Sequence, residues 1–87
     1  MLKIKRSSNG QVIFILAGRM NAEHISEMEA LFKSEVSGRP IVLDLKDLIL
    51  VDQDAVRFLE NCEADGIKLK NCPDYIREWI TRERSGA

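Results

Sequence analysis

The sequence is poor in the residues that catalysis and metal binding draw on. It holds one histidine, two cysteines, one tryptophan and one tyrosine in 87 residues. Cys62 and Cys72 lack C-x-x-C spacing and have only His24 as company, fewer ligands than a metal site needs, so no metal or other cofactor is expected. They read as reduced, partly buried thiols. Neither charge is in useful excess: 13 Lys and Arg stand against 14 Asp and Glu, a net charge of -1. With no basic surplus to collect phosphates, nucleic acid is not an expected partner. No apolar stretch comes near the roughly 20 residues needed to span a bilayer. The start, Met1-Leu-Lys-Ile-Lys-Arg6, alternates like a strand and is not a signal peptide. A cytoplasmic protein without direct membrane insertion is expected.

What is present is a globular composition, 45% hydrophobic and 31% charged. A chain of this size buries only about 60 to 65% of its unfolded surface, which leaves little for a deep catalytic cavity. One domain over residues 1–87 is expected, and a binding module more than an enzyme.

The elements follow from local patterns. Leu2 to Lys5 alternates, Asn9-Gly10 is a hairpin turn signal, and Val12-Ile-Phe-Ile-Leu-Ala17 is β-branched and aromatic, with Gly18 ending the strand. Asn21 suits a helix cap, and Ala22, Ile25, Met28, Leu31, Phe32 and Val36 recur at helical spacing before Gly38 stops the helix. Ile41 to Leu45 has the composition of a buried strand, and a second apolar run, Leu48 to Val51, follows it. Asp52 caps a helix from Gln53 to about Ala64, which Gly66 closes. Ile67 to Lys70 is a short strand, and Pro73 opens a last helix with Ile76, Trp79 and Ile80 on one stripe and Tyr75 at its edge. Thr81 to Ala87 reads as a polar end, with about 82–87 frayed.

The order β-β-α-β-α-β-α implies an antiparallel hairpin followed by right-handed parallel crossovers. The fold class is therefore α/β: a small four-stranded mixed sheet with helices largely on one face. The other face is left partly open or covered by a partner.

Few residues point to chemistry. Asp44, Asp47, Asp52 and Asp54 cluster around the end of the central strand, where Mg²⁺ or a phosphoryl group is held in some α/β proteins, but caps and solvated loop charges account for them. His24 belongs to a helix start with no triad pattern around it. Cys72, at the start of the last helix, is where a dipole lowers a thiol pKa, which leaves a redox or metal-dependent enzyme as the third choice. Arg77, Arg82 and Arg84 with Lys68 and Lys70 make the last third basic, a solvated face or a surface for an acidic partner.

In this order of motifs the chain resembles the STAS family, the fold of bacterial anti-sigma factor antagonists and of the cytoplasmic tails of sulfate transporters. Val12-Ile-Phe-Ile-Leu-Ala-Gly-Arg-Met-Asn-Ala-Glu23 looks like the family's strand, its Gly-Arg pair and the start of its first helix. Ile41-Val-Leu-Asp-Leu-Lys-Asp-Leu48 is similar to its central strand, and Val51-Asp52 to the loop before its second helix. The resemblance covers nearly the whole chain.

It implies a non-enzymatic regulator of transcription whose second helix starts with a serine. A kinase that is also the anti-sigma factor phosphorylates that serine. The family pattern Asp-Ser-Ser-Gly reads here Asp52-Gln53-Asp54-Ala55, so both hydroxyls are gone and Asp54 holds the switch position. Asp54 either imitates part of a phosphoserine's charge or simply stabilises the helix start. The partner-binding candidates are Asp52, Gln53, Asp54, Ala55 and Arg57. The implied partner is an anti-sigma factor kinase or, in the alternative reading of a small STAS subunit in a transport complex, an ABC ATPase.

Overall fold

A computed structural model describes residues 2–8, 10–35 and 39–86. Asn9 of the turn signal, Val36 of the helical stripe, Gly38 of the stop signal and Ala87 of the tail lie outside the described residues. The elements are β1 (Leu2–Ser8), β2 (Val12–Met20), α1 (Ala22–Ser34), β3 (Ile41–Val51), α2 (Gln53–Ala64), β4 (Lys68–Lys70) and α3 (Asp74–Gly86). They form one four-stranded sheet in the order β1-β2-β3-β4. β1 and β2 are antiparallel, with Lys5 opposite Ile15, and the β2–β3 and β3–β4 pairs are parallel. This is the mixed α/β sheet that the element order requires.

One sheet face and the inner sides of all three helices make a single core. Val12, Phe14, Leu16, Met20, Leu43, Leu45 and Leu48 supply the strand side. Met28, Ala55, Val56, Leu59, Cys62, Ile76 and Ile80 supply the helices, and every one of these residues is buried. Phe32 links two layers, with its ring 5.7 Å from that of Phe14 and stacked 5.9 Å from that of Phe58. The helices thus lie on one face, as two right-handed crossovers in the same direction dictate.

Two boundaries differ from the sequence reading, and β3 explains why. The runs Ile41–Leu45 and Leu48–Val51 are one strand of 11 residues beside the 9 of β2. Between the pairs Ile15–Asp44 and Ala17–Asp47, β3 spends one residue more than β2. It does so again between Gly18–Leu48 and Arg19–Leu50. Each extra residue is a bulge that flips the inside–outside phase of the strand. That is how Leu45 and Leu48, three apart, both point into the core. Gly18 does not end β2 but continues it at φ 100°, a conformation that a side chain makes costly, beside the second register shift.

The chain's end is the second difference. α3 continues to Gly86, where the sequence suggests fraying from about residue 82. Arg84 donates to Glu63 at 2.7 Å, and Glu83 accepts from Gln53 at 3.2 Å, so the polar residues of the last turns are ties to α2.

Candidate functional site

β3 ends at Val51, and the chain turns at Asp52 into α2. The Asp52 backbone N–H donates to Met20 O at 3.3 Å, which joins the ends of β2 and β3. Its side chain does more than cap one helix. Oδ1 accepts from Ala55 N–H at 2.8 Å, and Oδ2 accepts from Ala22 N–H at 3.2 Å. One carboxylate therefore satisfies orphan donors of both α2 and α1, at the positive ends of both helix dipoles.

The neighbouring cap is made locally. Asn21 Oδ1 accepts from Glu23 N–H at 2.9 Å, while His24 Nδ1 accepts from Asn21 N–H at 3.1 Å. His24 takes the place that Glu or Gln fills in a capping box, so its role is structural.

The five candidate residues divide in two. Gln53, Asp54 and Arg57 are exposed, whereas Asp52 is occupied by its two caps and Ala55 is fully buried. Ala55 is thus corrected from a surface contact to a core residue whose amide completes the cap, and no partner can meet its methyl. Gln53 reaches across to Glu83, to which Arg57 also pairs at 3.4 Å. The Asp54 side chain makes no hydrogen bond or ion pair among the described residues. It borders a groove between α1 and α2 with Ile25, Glu29, Arg57 and Phe58.

The structure adds an apolar patch that the residue pattern did not single out. Ile49 and Leu50 are 64% and 49% exposed, just before Asp52. The second bulge of β3 puts them there, between inward Leu48 and partly buried Val51. Tyr75 of α3, also exposed, donates its hydroxyl to Ile49 O. The available signal was the uninterrupted run Leu48-Ile-Leu-Val51. A strand with one covered face cannot bury four successive apolar side chains.

The other candidates are scattered. Asp44 accepts from Lys46 N–H at 3.0 Å and from Asn71 Nδ2 at 3.3 Å, while Asp47 lies on the sheet face away from the helices. The aspartates therefore do not converge, and no group of three His, Cys, Asp or Glu fit to hold a metal ion occurs among the described residues.

Burial pushes the Cys62 thiol up to about 12, with the charges of Asp65 and Glu29 adding to it. Burial also raises Cys72, the opposite of a dipole-activated thiol, and its Sγ donates weakly to Pro73 O. The basic last third is largely neutralised: Arg77 and Arg84 pair with Glu63, and Arg82 pairs with Glu78. Arg77 and Arg84 hold the Glu63 pKa at about 2.

No family model and no curated protein matches the sequence. Solved structures do match. An uncharacterised protein of the DUF3478 family with a SpoIIAA-like fold, from Shewanella loihica PV-4, is 16% identical with a TM-score of 0.59. The alignment covers 98% of this chain and 77% of that one. The anti-sigma factor antagonist SpoIIAA in its unphosphorylated form is 15% identical with a TM-score of 0.64, over 94% of this chain and 83% of that one. A protein described as Mglu matches 78% of this chain over 18% of its own length, at 18% identity and a TM-score of 0.57. The TM-scores and the coverage establish the architecture: this chain has a SpoIIAA-like fold.

Proposed function

We propose that this chain is a non-enzymatic protein-interaction module of the anti-sigma factor antagonist type. In this reading it docks an anti-sigma factor or kinase partner with the end of β3 and the start of α2. The observation that carries the reading is the surface at that point. Exposed Ile49 and Leu50 at the end of β3 are followed within a few residues of chain by exposed Gln53, Asp54 and Arg57 at the start of α2. An apolar centre with a polar rim is the composition of a protein interface, not of a small-molecule site.

The surface carries no switch of the usual kind. Neither Gln53 nor Asp54 has a hydroxyl to receive a phosphoryl group. Asp54 supplies a permanent single charge where a phosphoserine brings about -1.5 to -2. Binding is therefore constitutive in this proposal, set by the partner's concentration.

The test is a pull-down from the native host with wild type, Leu50→Asp and Asp54→Lys, followed by identification of the captured protein. Capture of an anti-sigma factor or its kinase by wild type, lost in Leu50→Asp, is the expected result. Capture of an ABC ATPase instead, or equal recovery with all three proteins, overturns the proposal. Incubation with the captured kinase and ATP leaves residues 52–55 unmodified by mass spectrometry.

A further inference from the structure

The sheet face turned away from the helices carries a pattern of its own. In the register, Lys3 and Lys5 of β1 stand opposite Ala17 and Ile15 of β2, while Val42 and Asp44 of β3 stand opposite Lys68 and Lys70 of β4. Leu2, Ile4 and Leu69 pack on the core, so the alternate residues Lys3, Lys5, Lys68 and Lys70 point the other way. This places four of the chain's six lysines on one face, as two rows along its outer strands. Between the rows lie half-buried Ile13, Ile15 and Ala17 of β2, with buried Val42 and the aspartates Asp44 and Asp47 of β3 beside them.

The two kinds of cation are treated differently. Five of the seven arginines, namely Arg6, Arg57, Arg77, Arg82 and Arg84, are paired with glutamates. None of the four lysine side chains has an ion pair or hydrogen bond among the described residues, although Asp44 and Asp47 lie on the same face. Asp47 borders a shallow depression with Lys3, Lys5, Ile15 and Ala17.

We infer that this face is a second docking surface, and that its occupant is an acidic amphipathic helix of a partner protein. Three intervals of about 4.8 Å separate β1 from β4, so the lysine rows are roughly 14 Å apart. A helix with its side chains is about 10 to 12 Å across and lies between them. Its apolar ridge meets Ile13, Ile15 and Ala17, and Glu or Asp on its two flanks meets the lysines. The packing repeats what the core face already does with this chain's own helices. An anionic bilayer or a nucleic acid fits less well. Asp44 and Asp47 interrupt the positive field, and the whole chain carries a net charge of -1. The surface is on the opposite side of the sheet from α2, so it stands or falls independently of docking at Asp54.

The probe is a synthetic 18-residue amphipathic peptide with leucine on one face and glutamate on both flanks, titrated against the ¹⁵N-labelled full chain. A composition-matched scrambled peptide and phosphatidylserine-containing vesicles run in parallel. The expected result is saturable peptide binding with amide shifts at β1, Ile13, Ile15 and β4. Affinity should fall about tenfold or more in the double variant Lys5→Glu/Lys68→Glu and on raising the salt, while Asp54→Lys leaves it unchanged. Circular dichroism of the double variant matches wild type, since both lysines are exposed.

Four outcomes overturn the inference: no peptide binding, equal binding of the scrambled peptide, shifts confined to α1 and α2, or vesicles binding in place of the peptide. A dimer that Lys68→Glu disperses also overturns it, by assigning the face to a second copy of this chain.

Discussion

Replacing Asp52 tests the way the two helix starts are joined. An N-cap residue changed to alanine costs about 0.5 to 2 kcal/mol when it serves one helix. Asp52 serves two, through Oδ1 to Ala55 N–H and Oδ2 to Ala22 N–H. Its charge adds about 0.3 to 1 kcal/mol at a helix N-terminus. Asp52→Ala is therefore expected to lose about 1.5 to 3 kcal/mol. Asp52→Asn keeps one acceptor and turns its amide toward the other N–H, so about 1 kcal/mol is expected to go. Asp54→Ala, with no cap to break, should lose no more than about 0.5 to 1 kcal/mol.

Urea unfolding followed by circular dichroism reads all three from the midpoint, with an unchanged slope as the check that the denatured state is the same. For a domain this small each kcal/mol corresponds to roughly 4 to 8 °C in Tm, which gives an independent measurement. An Asp52→Ala protein within 0.5 kcal/mol of wild type refutes the double cap. If asparagine is as stable as wild type, the bond to Ala22 carries no weight.

Three further expectations follow from the same geometry. Glu63 has its folded pKa depressed to about 2 by Arg77 and Arg84, so its contribution is present above its ordinary value and fades as pH falls from about 4.5 toward 2. The pairs are partly exposed, which reduces that contribution to about 1 kcal/mol; the gap between wild type and Glu63→Gln in urea should shrink across that window, and a gap constant down to pH 2 contradicts it. Burial raises both thiols, so a disulfide reagent at pH 8 should modify native Cys62 only on unfolding and Cys72 more slowly than a free thiol; rapid labelling of Cys72 would restore the redox reading. Leu59 is fully buried in the core on α2, and Leu59→Ala should cost about 2 to 5 kcal/mol, measured from the urea midpoint.

Much of the local structure was legible because it depends on neighbours in sequence. Asn21 and Asp52 are read as caps from residue type and position, and both are caps. The stripe Ile25, Met28, Leu31 and Phe32 is helical for the same reason. Cys72 misled because a helix start was visible in the sequence while the burial that outweighs its dipole was not.

By itself, then, the sequence determines the order of elements, the parallel crossovers and the side of the sheet on which the helices lie. Hydrophobic period, caps and chain handedness act over a few residues or through connection length. Only the tertiary structure decides what depends on alignment with a distant strand. The bulges of β3 exist relative to β2, and they turn Ile49 and Leu50 outward while keeping Leu48 inside. Asp52 reaches Ala22, 30 positions earlier, because β2 and β3 end side by side. The two lysine rows likewise come from opposite ends of the chain, and only the register sets them on one face.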